Sequence, residues 1–158
     1  MKSEAEVTRT IWLKAEVCTI KRDLRCAMNA TFVTKLAFYE KTRGVCRELV
    51  SYEEFSNAAD MYSRCVQVFK SIPKIKLELF SDEDTAKRNE AMTTLYTNLS
   101  FCLLKKDQAE KAIKAAENAI EADPGNFKAH YRMALAWKHL NGFEASTESF
   151  KQAIKLAP

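Results

Sequence analysis

The feature that most constrains the fold is an internal repeat with a period of 34 residues. At this offset Ser100 aligns with Ala134, and Ala112 aligns with Ser146. Small residues at fixed places in such a period predict pairs of antiparallel helices, because small side chains at a crossing let two helices approach closely. The pattern predicts two regular repeats, at about 91–124 and 125–158.

A third and less regular repeat precedes these two. Ala58 lies 54 residues before Ala112, so about 20 residues are inserted after the first repeat. We expect this first repeat at about 39–72 and the insert at about 73–90. The inward-facing residues of its two helices are predicted to be Val45, Cys46 and Leu49, then Phe55, Ala58, Tyr62 and Cys65.

The insert begins at Pro73, which interrupts a helix. Ser81 or Asp82 is suited to cap a long helix that begins near Asp84, since acidic residues stabilise a helix N-terminus. The sequence leaves open whether the remainder is a disordered loop or packs through its apolar residues, which are Ile75, Leu77, Leu79 and Phe80.

Residues 1–30 are interpreted as an N-terminal helical segment, and residues 31–158 as the repeat domain. One apolar stripe of the segment includes Val7 and Ile11, and another includes Leu13 and Val17. Two apolar faces predict a helix that is buried on one side and in contact with a partner on the other, or buried on both. Threonines and β-branched residues leave a strand as the alternative. Thr31 is suited to cap the following helix.

Composition agrees with long helices. The chain has 158 residues with 47% hydrophobic residues, but only three glycines and three prolines, which is too few for a turn-rich β fold. No apolar run approaches the roughly 18 residues of a membrane span, and residues 1–6 lack an apolar signal core. We therefore expect a soluble protein with no membrane partner.

Charges and reactive side chains favour a binding protein over an enzyme. The net charge of +4 resides in residues 1–50, without a basic run that would predict nucleic acid binding. The five cysteines lack CxxC spacing, and His130 and His139 have no carboxylate pattern beside them. We predict no catalytic residue, no metal and no cofactor. The unpaired cysteines favour a reducing compartment, the cytoplasm or also the nucleus.

The repeats resemble the tetratricopeptide repeat (TPR) family, and in particular the three-repeat co-chaperone module of the large immunophilins. The similarity is carried by 95–105, 109–113 and 126–134, which read LYTNLSFCLLK, AEKAI and NFKAHYRMA. It implies an all-α fold, a right-handed solenoid of three TPR helix pairs with an additional N-terminal helical segment. It also implies a concave groove for the acidic C-terminal peptide of a heat-shock chaperone.

In that family a set of side chains called the carboxylate clamp holds the free carboxylate of the peptide. The resemblance assigns this role to Asn98, Lys128 and Arg132, with Arg43 in place of the usual lysine of the first repeat. Lys128 and Arg132 are four residues apart, so both lie on one helix face. Arg47 stands where the family has asparagine, and this position of the clamp is doubtful.

Each clamp residue also has a simpler interpretation. Lys128 and Arg132 are then ordinary solvated charges, and Asn98 bonds to a neighbouring helix. The aromatic residues are predicted to be core, namely Phe55, Tyr62, Trp137, Phe143 and Phe150.

The last helix is predicted to leave an apolar strip of Phe150, Ala153 and Ile154 exposed. Either the natural chain continues over this strip, or another chain covers it, including a second copy in a homodimer.

The sequence thus predicts a non-catalytic co-chaperone-like adaptor that binds an acidic peptide C-terminus. The alternative is a scaffold with a degenerate clamp, which binds a partner protein through the N-terminal segment and the exposed faces of the terminal helix.

Overall fold

The computed structural model describes residues 3–158, which form eight α-helices and no strand. The prediction of an all-α fold built from helix pairs is confirmed. No helix in this range is long and apolar enough to cross a membrane. The helices are α1 (Glu4–Met28), α2 (Phe32–Ser51), α3 (Phe55–Lys70), α4 (Lys74–Leu77), α5 (Asp82–Lys105), α6 (Ala109–Ala122), α7 (Phe127–His139) and α8 (Phe143–Leu156).

The chain packs as two compact units. The N-terminal unit ends at Ser71 and contains α1, α2 and α3. The C-terminal unit begins at Ile72 and contains α4 and the two regular helix pairs, α5 with α6 and α7 with α8. Helix α1 therefore packs with the first repeat, where it contacts both α2 and α3.

Each helix pair crosses where two small buried residues meet. At all three crossings a side chain of one helix donates a hydrogen bond to a backbone carbonyl of the other, 12 residues away along the chain. The bonded residues are the small residues that the sequence register aligns between the repeats. The bonds are Ser100 Oγ to Ala112 O (2.8 Å), Ser146 Oγ to Ala134 O (2.9 Å) and Cys46 Sγ to Ala58 O (3.9 Å).

The turn inside each pair also repeats. One residue of each turn has a left-handed backbone: Glu53 (φ 60°), Asp107 (φ 56°) and Asn141 (φ 58°). The next amide then donates back to the first helix, at 2.8 Å from Glu54, 3.0 Å from Gln108 and 2.9 Å from Gly142. This closure satisfies carbonyls at a helix C-terminus, and it confirms the predicted turn at Asn141 and Gly142.

Residues 3–28 form a helix, so the strand alternative is wrong. Ser3 caps α1 with a reciprocal bond to Glu6, and Leu13, Val17 and Ile20 are buried against the first repeat. A single helical face can bury these residues, and this outweighs the weak helix propensity of the threonines. The predicted cap at Thr31 is confirmed, although α2 begins at Phe32, earlier than the 39 predicted for the repeat.

A buried lysine joins the ends of two helices in the N-terminal unit. Lys35 is 3% exposed, and its Nζ lies within hydrogen-bond distance of four acceptors, namely Ala27 O (2.9 Å), Met28 O (2.6 Å), Val68 O (3.2 Å) and Ser71 Oγ (2.9 Å). These acceptors lie at the C-terminal ends of α1 and α3, where unpaired carbonyls give a helix partial negative charge. The lysine thus links the C-terminal ends of α1 and α3.

The insert contains the short helix α4, and α5 follows the predicted cap Ser81. The insert packs in part, because Leu77 and Phe80 are half-buried whereas Ile75 is 69% and Leu79 is 81% exposed. The assignment of all five aromatics to the core is wrong for Phe143, which is 64% exposed at the first position of α8. Tyr62 is buried as predicted.

Replacement of Ser100 by leucine tests the crossing of α5 and α6. Ser100 is fully buried, so a larger side chain must push the helices apart, and we expect the free energy of unfolding to fall by about 3 kcal/mol. Ser100→Ala loses only the hydrogen bond and should cost ~1 kcal/mol. Urea unfolding followed by circular dichroism measures both, and equal losses would contradict a close crossing.

Candidate functional site

Two helices of the C-terminal unit carry the candidate binding residues. Asn126 caps α7 through a bond from the Ala129 amide to its Oδ1 (3.0 Å), which fixes where the helix begins. Lys128 and Arg132 then lie one turn apart on the same side of α7. Helix α5 contacts α7 and contributes the neighbouring wall.

Arg132 is the most distinctive member of the site. Its guanidinium carbon lies 4.5 Å from the ring centroid of Phe101 on α5 and 5.7 Å from that of Tyr131. Its Nε is buried, and no hydrogen bond or ion pair satisfies this side chain within residues 3–158. Burial lowers the pKa of Arg132, although the group remains a cation at neutral pH. A half-buried cation without a counterion favours an anionic ligand.

Asn98 lies on the part of α5 that approaches α7. It is half-buried and precedes Phe101 by three residues, so it shares a helix face with the ring that Arg132 covers. Lys128 is exposed, with its Nζ 5.8 Å from the centroid of the adjacent Phe127 ring. Neither has an acidic or hydrogen-bonding partner among the described side chains. The structure therefore places three unpaired donors, Asn98, Lys128 and Arg132, on neighbouring helices.

The other two predicted residues lie on α2 in the N-terminal unit. Arg43 is bonded to Glu40 (2.7 Å), and its guanidinium carbon lies 5.4 Å from the Tyr39 ring centroid. Burial lowers the pKa of Arg43, but Tyr39 and Glu40 outweigh this and raise it. Arg43 thus already has a carboxylate partner. Arg47 is exposed.

An apolar groove adjoins the cations. This α7–α8 groove has a volume of about 450 Å³, and Lys128 and Arg132 contribute to its wall. Tyr131 packs edge-on against Phe150 at 5.7 Å, and Ile154 is 75% exposed. The remaining lining residues are Phe127, Ala153 and Ala157. The predicted apolar strip is therefore present at Ile154 and half-buried Phe150, whereas Ala153 is 5% exposed.

The sequence alone left open whether the aromatic residues Phe101 and Tyr131 face the groove or a seam between helices. Phe101 supports Arg132, and Tyr131 closes one side of the groove. A signal was present for Phe101, since a residue three positions after Asn98 must share its helix face. Tyr131 adjoins Arg132 in the chain, but adjacency alone does not place a side chain in a groove.

The site has no activated nucleophile. Cys102 lies next to Arg132, yet burial raises the pKa of its thiol to about 11 against the opposing effects of Arg132 and Lys106. A protonated thiol is a poor nucleophile and metal ligand. No group of three or more histidine, cysteine or acidic residues in the described range could hold a metal. The unpaired donors of Lys128 and Arg132 are suited to binding an anion.

Comparison with known proteins identifies the repeat. Residues 93–126, from α5 to the cap of α7, match the tetratricopeptide repeat family. These residues form a tetratricopeptide repeat. Its structure is similar to the C-terminal TPR-containing domain of an FK506-binding protein from Plasmodium falciparum, with a TM-score of 0.71, 22% identity and coverage of 84% of this chain and 85% of that one.

The chain is also similar in sequence to parts of longer proteins. It is 35% identical over 131 residues to an FK506-binding protein-like protein of Mus musculus, covering 83% of this chain and 34% of the relative. It is 28% identical over 111 residues to sperm-associated antigen 1 of Homo sapiens, and the match covers 70% of this chain and 10% of that protein. Outer envelope protein 61 of Arabidopsis thaliana is 27% identical over 135 residues, and the match covers 85% of this chain and 22% of that protein. The chain thus spans about a third or less of these relatives.

These similarities confirm the resemblance to immunophilin TPR modules. TPR domains are generally non-catalytic protein-interaction modules, and the similarities support a protein-interaction TPR module here.

Thiol labelling tests the environment of Cys102. We expect only Cys18 and Cys26 to react in the folded chain at pH 8, because they are exposed whereas Cys46, Cys65 and Cys102 are buried. Burial also raises the pKa of Cys65 to about 12. Mass spectrometry after brief treatment with iodoacetamide counts the labelled thiols, with a urea-unfolded sample as the control for all five. Rapid labelling of Cys102 in the folded chain would contradict its protonated, buried state.

Proposed function

We propose that this TPR module is a non-catalytic adaptor that binds an acidic peptide C-terminus, as on a heat-shock chaperone. The single observation that supports this most directly is the half-buried guanidinium of Arg132, which has no counterion among residues 3–158. A free carboxylate would compensate for the hydration that Arg132 loses on burial. Charge-assisted hydrogen bonds are about twice as strong as neutral ones.

Each residue around Arg132 would have a separate role in binding the peptide. Phe101 lies beneath the guanidinium plane and would orient Arg132 toward the ligand. Asn98 would donate from the opposite helix to a carboxylate oxygen or a peptide carbonyl. Exposed Lys128 would contribute a mobile point charge, which affects the association rate and the tolerance for acidic side chains.

Arg43 and Arg47 would contribute less than their counterparts in the family. Arg43 is already paired with Glu40, and Arg47 carries a long cation where a short amide would be expected. The proposed mode therefore depends on Asn98, Lys128 and Arg132. With five free cysteines, the chain would act in a reducing compartment, the cytoplasm or also the nucleus.

Titration of an acidic C-terminal peptide tests the carboxylate mechanism. We expect the double variant Lys128→Ala with Arg132→Glu to weaken binding by at least ~2 kcal/mol, because two contacts to charge are lost. The matched control is Lys111→Ala with Lys114→Glu, which changes the net charge equally at two exposed lysines of α6. C-terminal amidation of the peptide should weaken binding similarly. Equal binding of the free and amidated peptides would remove the terminal carboxylate from the mechanism.

A second candidate function rests on α1. Its outward face carries exposed apolar residues, Val7 at 46%, Ile11 at 64% and Trp12 at 39%, and Arg9 lies 4.0 Å over the Trp12 ring. Such a patch on a helix suits contact with an apolar face of a partner protein. The module would then act as a scaffold whose clamp is not used.

Single substitutions distinguish the scaffold from the adaptor. If α1 holds the partner, Ile11→Glu should abolish co-purification of that partner, whereas Arg132→Glu should not affect it. Val33→Glu is the matched control, because Val33 is 75% exposed on α2. The adaptor predicts the reverse, with loss of the partner on Arg132→Glu and its retention on Ile11→Glu. Quantitative mass spectrometry of the captured proteins measures both.

A further inference from the structure

The N-terminal unit contains a cavity that the proposed function does not use. It is lined by residues between 10 and 21 of α1 and by residues between 49 and 57, where α2 ends and α3 begins. We call this cavity the α1 pocket. Its volume is about 310 Å³, which is at the lower end of the range for cavities that enclose a small ligand.

The floor of the α1 pocket is aliphatic. Leu13 and Val17 of α1 and Leu49 of α2 line it, and they are only 3%, 7% and 2% exposed. Tyr52 adds its ring to the wall and is 40% exposed. Because the floor residues are held in place by packing between helices, the apolar surface is present before any ligand binds.

Two lysines adjoin this apolar floor. Lys14 and Lys21 both line the pocket and lie two helical turns apart on one face of α1, with Val17 between them. Lys14 is exposed and has no side-chain partner within residues 3–158. Lys21 Nζ lies 3.1 Å from Asp60, but Arg64 also contacts that carboxylate at 3.0 Å. Asp60 therefore keeps a cation if Lys21 turns toward a ligand.

The acidic residue in the lining already has a partner. Asn57 Nδ2 donates to Glu54 Oε2 at 3.0 Å. Two lysines and one glutamate give the lining a net charge of +1, and the neighbouring pair of Asp60 with Arg64 leaves that sum unchanged. The pocket thus favours an anionic over a cationic head group on a ligand.

We propose that the α1 pocket binds a small amphiphilic anion, namely a short acyl chain that ends in a carboxylate. The chain would cover Leu13, Val17 and Leu49, and the carboxylate would lie at Lys14 within reach of Lys21. This site is independent of the proposed function, because every lining residue belongs to the N-terminal unit whereas Asn98, Lys128 and Arg132 belong to the other.

The pocket contains its own reporter group. Cys18 is exposed and lines the cavity, whereas Cys26 is exposed on the same helix outside it. A ligand that fills the pocket covers the Cys18 thiol and leaves the Cys26 thiol open. The rate at which each thiol is alkylated therefore reports where a ligand binds.

Octanoate is the probe, and labelling by iodoacetamide at pH 8 is the measurement. Mass spectrometry of the digested chain follows each thiol separately. We expect labelling of Cys18 to slow about fivefold at about four times the Kd of octanoate, and labelling of Cys26 to stay unchanged. Octylammonium has the same chain with the opposite charge. It should need a roughly tenfold higher concentration to protect Cys18, because Lys14 repels it.

Lys14→Glu and Arg25→Glu form a matched pair of variants. Both place a carboxylate at an exposed cation of α1, but Arg25 lies outside the pocket. Lys14→Glu should raise the octanoate concentration for half protection about tenfold, because one hydrogen bond to a charged group is lost. Arg25→Glu should bind octanoate like the wild type. Circular dichroism of each variant establishes that the substitution leaves the helices intact.

Four results would overturn the proposal. The first is labelling of Cys18 that octanoate does not slow. The second is equal slowing at Cys18 and Cys26, which would indicate that the probe only coats the helix. The third is equal protection by octanoate and octylammonium, and the fourth is unchanged protection in Lys14→Glu. Failure of the acidic peptide to bind would reject the proposed function without affecting these labelling rates.

Discussion

The close crossing of two helices through small residues is the constraint on which the rest of the structure depends. At each crossing the side chains are alanine, serine or cysteine, and one of them bonds to the opposing backbone. Large side chains would separate the helices there and move every neighbouring contact. Because the same crossing recurs in all three repeats, the identity of six small residues determines how each pair packs.

This packing also explains how the candidate binding side chains of α5 and α7 come to lie on neighbouring helices. Ser100 keeps the inner side of α5 against α6, which leaves the Asn98–Phe101 face for α7. The ring of Phe101 then supports Arg132 at a depth where water is partly excluded. The half-buried environment of Arg132 thus results from helix packing, because α5 provides both the ring that contacts the guanidinium and the surface that excludes water from it.

Much of the fold could be predicted from the sequence, because a 34-residue period and small crossing residues specify local geometry. Asn98, Lys128 and Arg132 follow from the same register. The pairing of Arg43 with Glu40 could not be predicted in this way, because that bond depends on the side-chain rotamers and not only on the spacing of the two residues. The exposure of Leu79 and Phe143 also escapes sequence reasoning. An apolar residue near a helix end is buried only if another element reaches it, and pattern does not report that.

The buried ammonium of Lys35 makes the first three helices mutually dependent. Two of its acceptors belong to the end of α1, so removing that helix would leave a charged group in the interior without those two bonds. Loss of α1 should consequently melt α2 and α3 as well, rather than expose an intact first repeat. Shortened versions of this protein are thus best begun upstream of Ser3, however dispensable a leading helix looks.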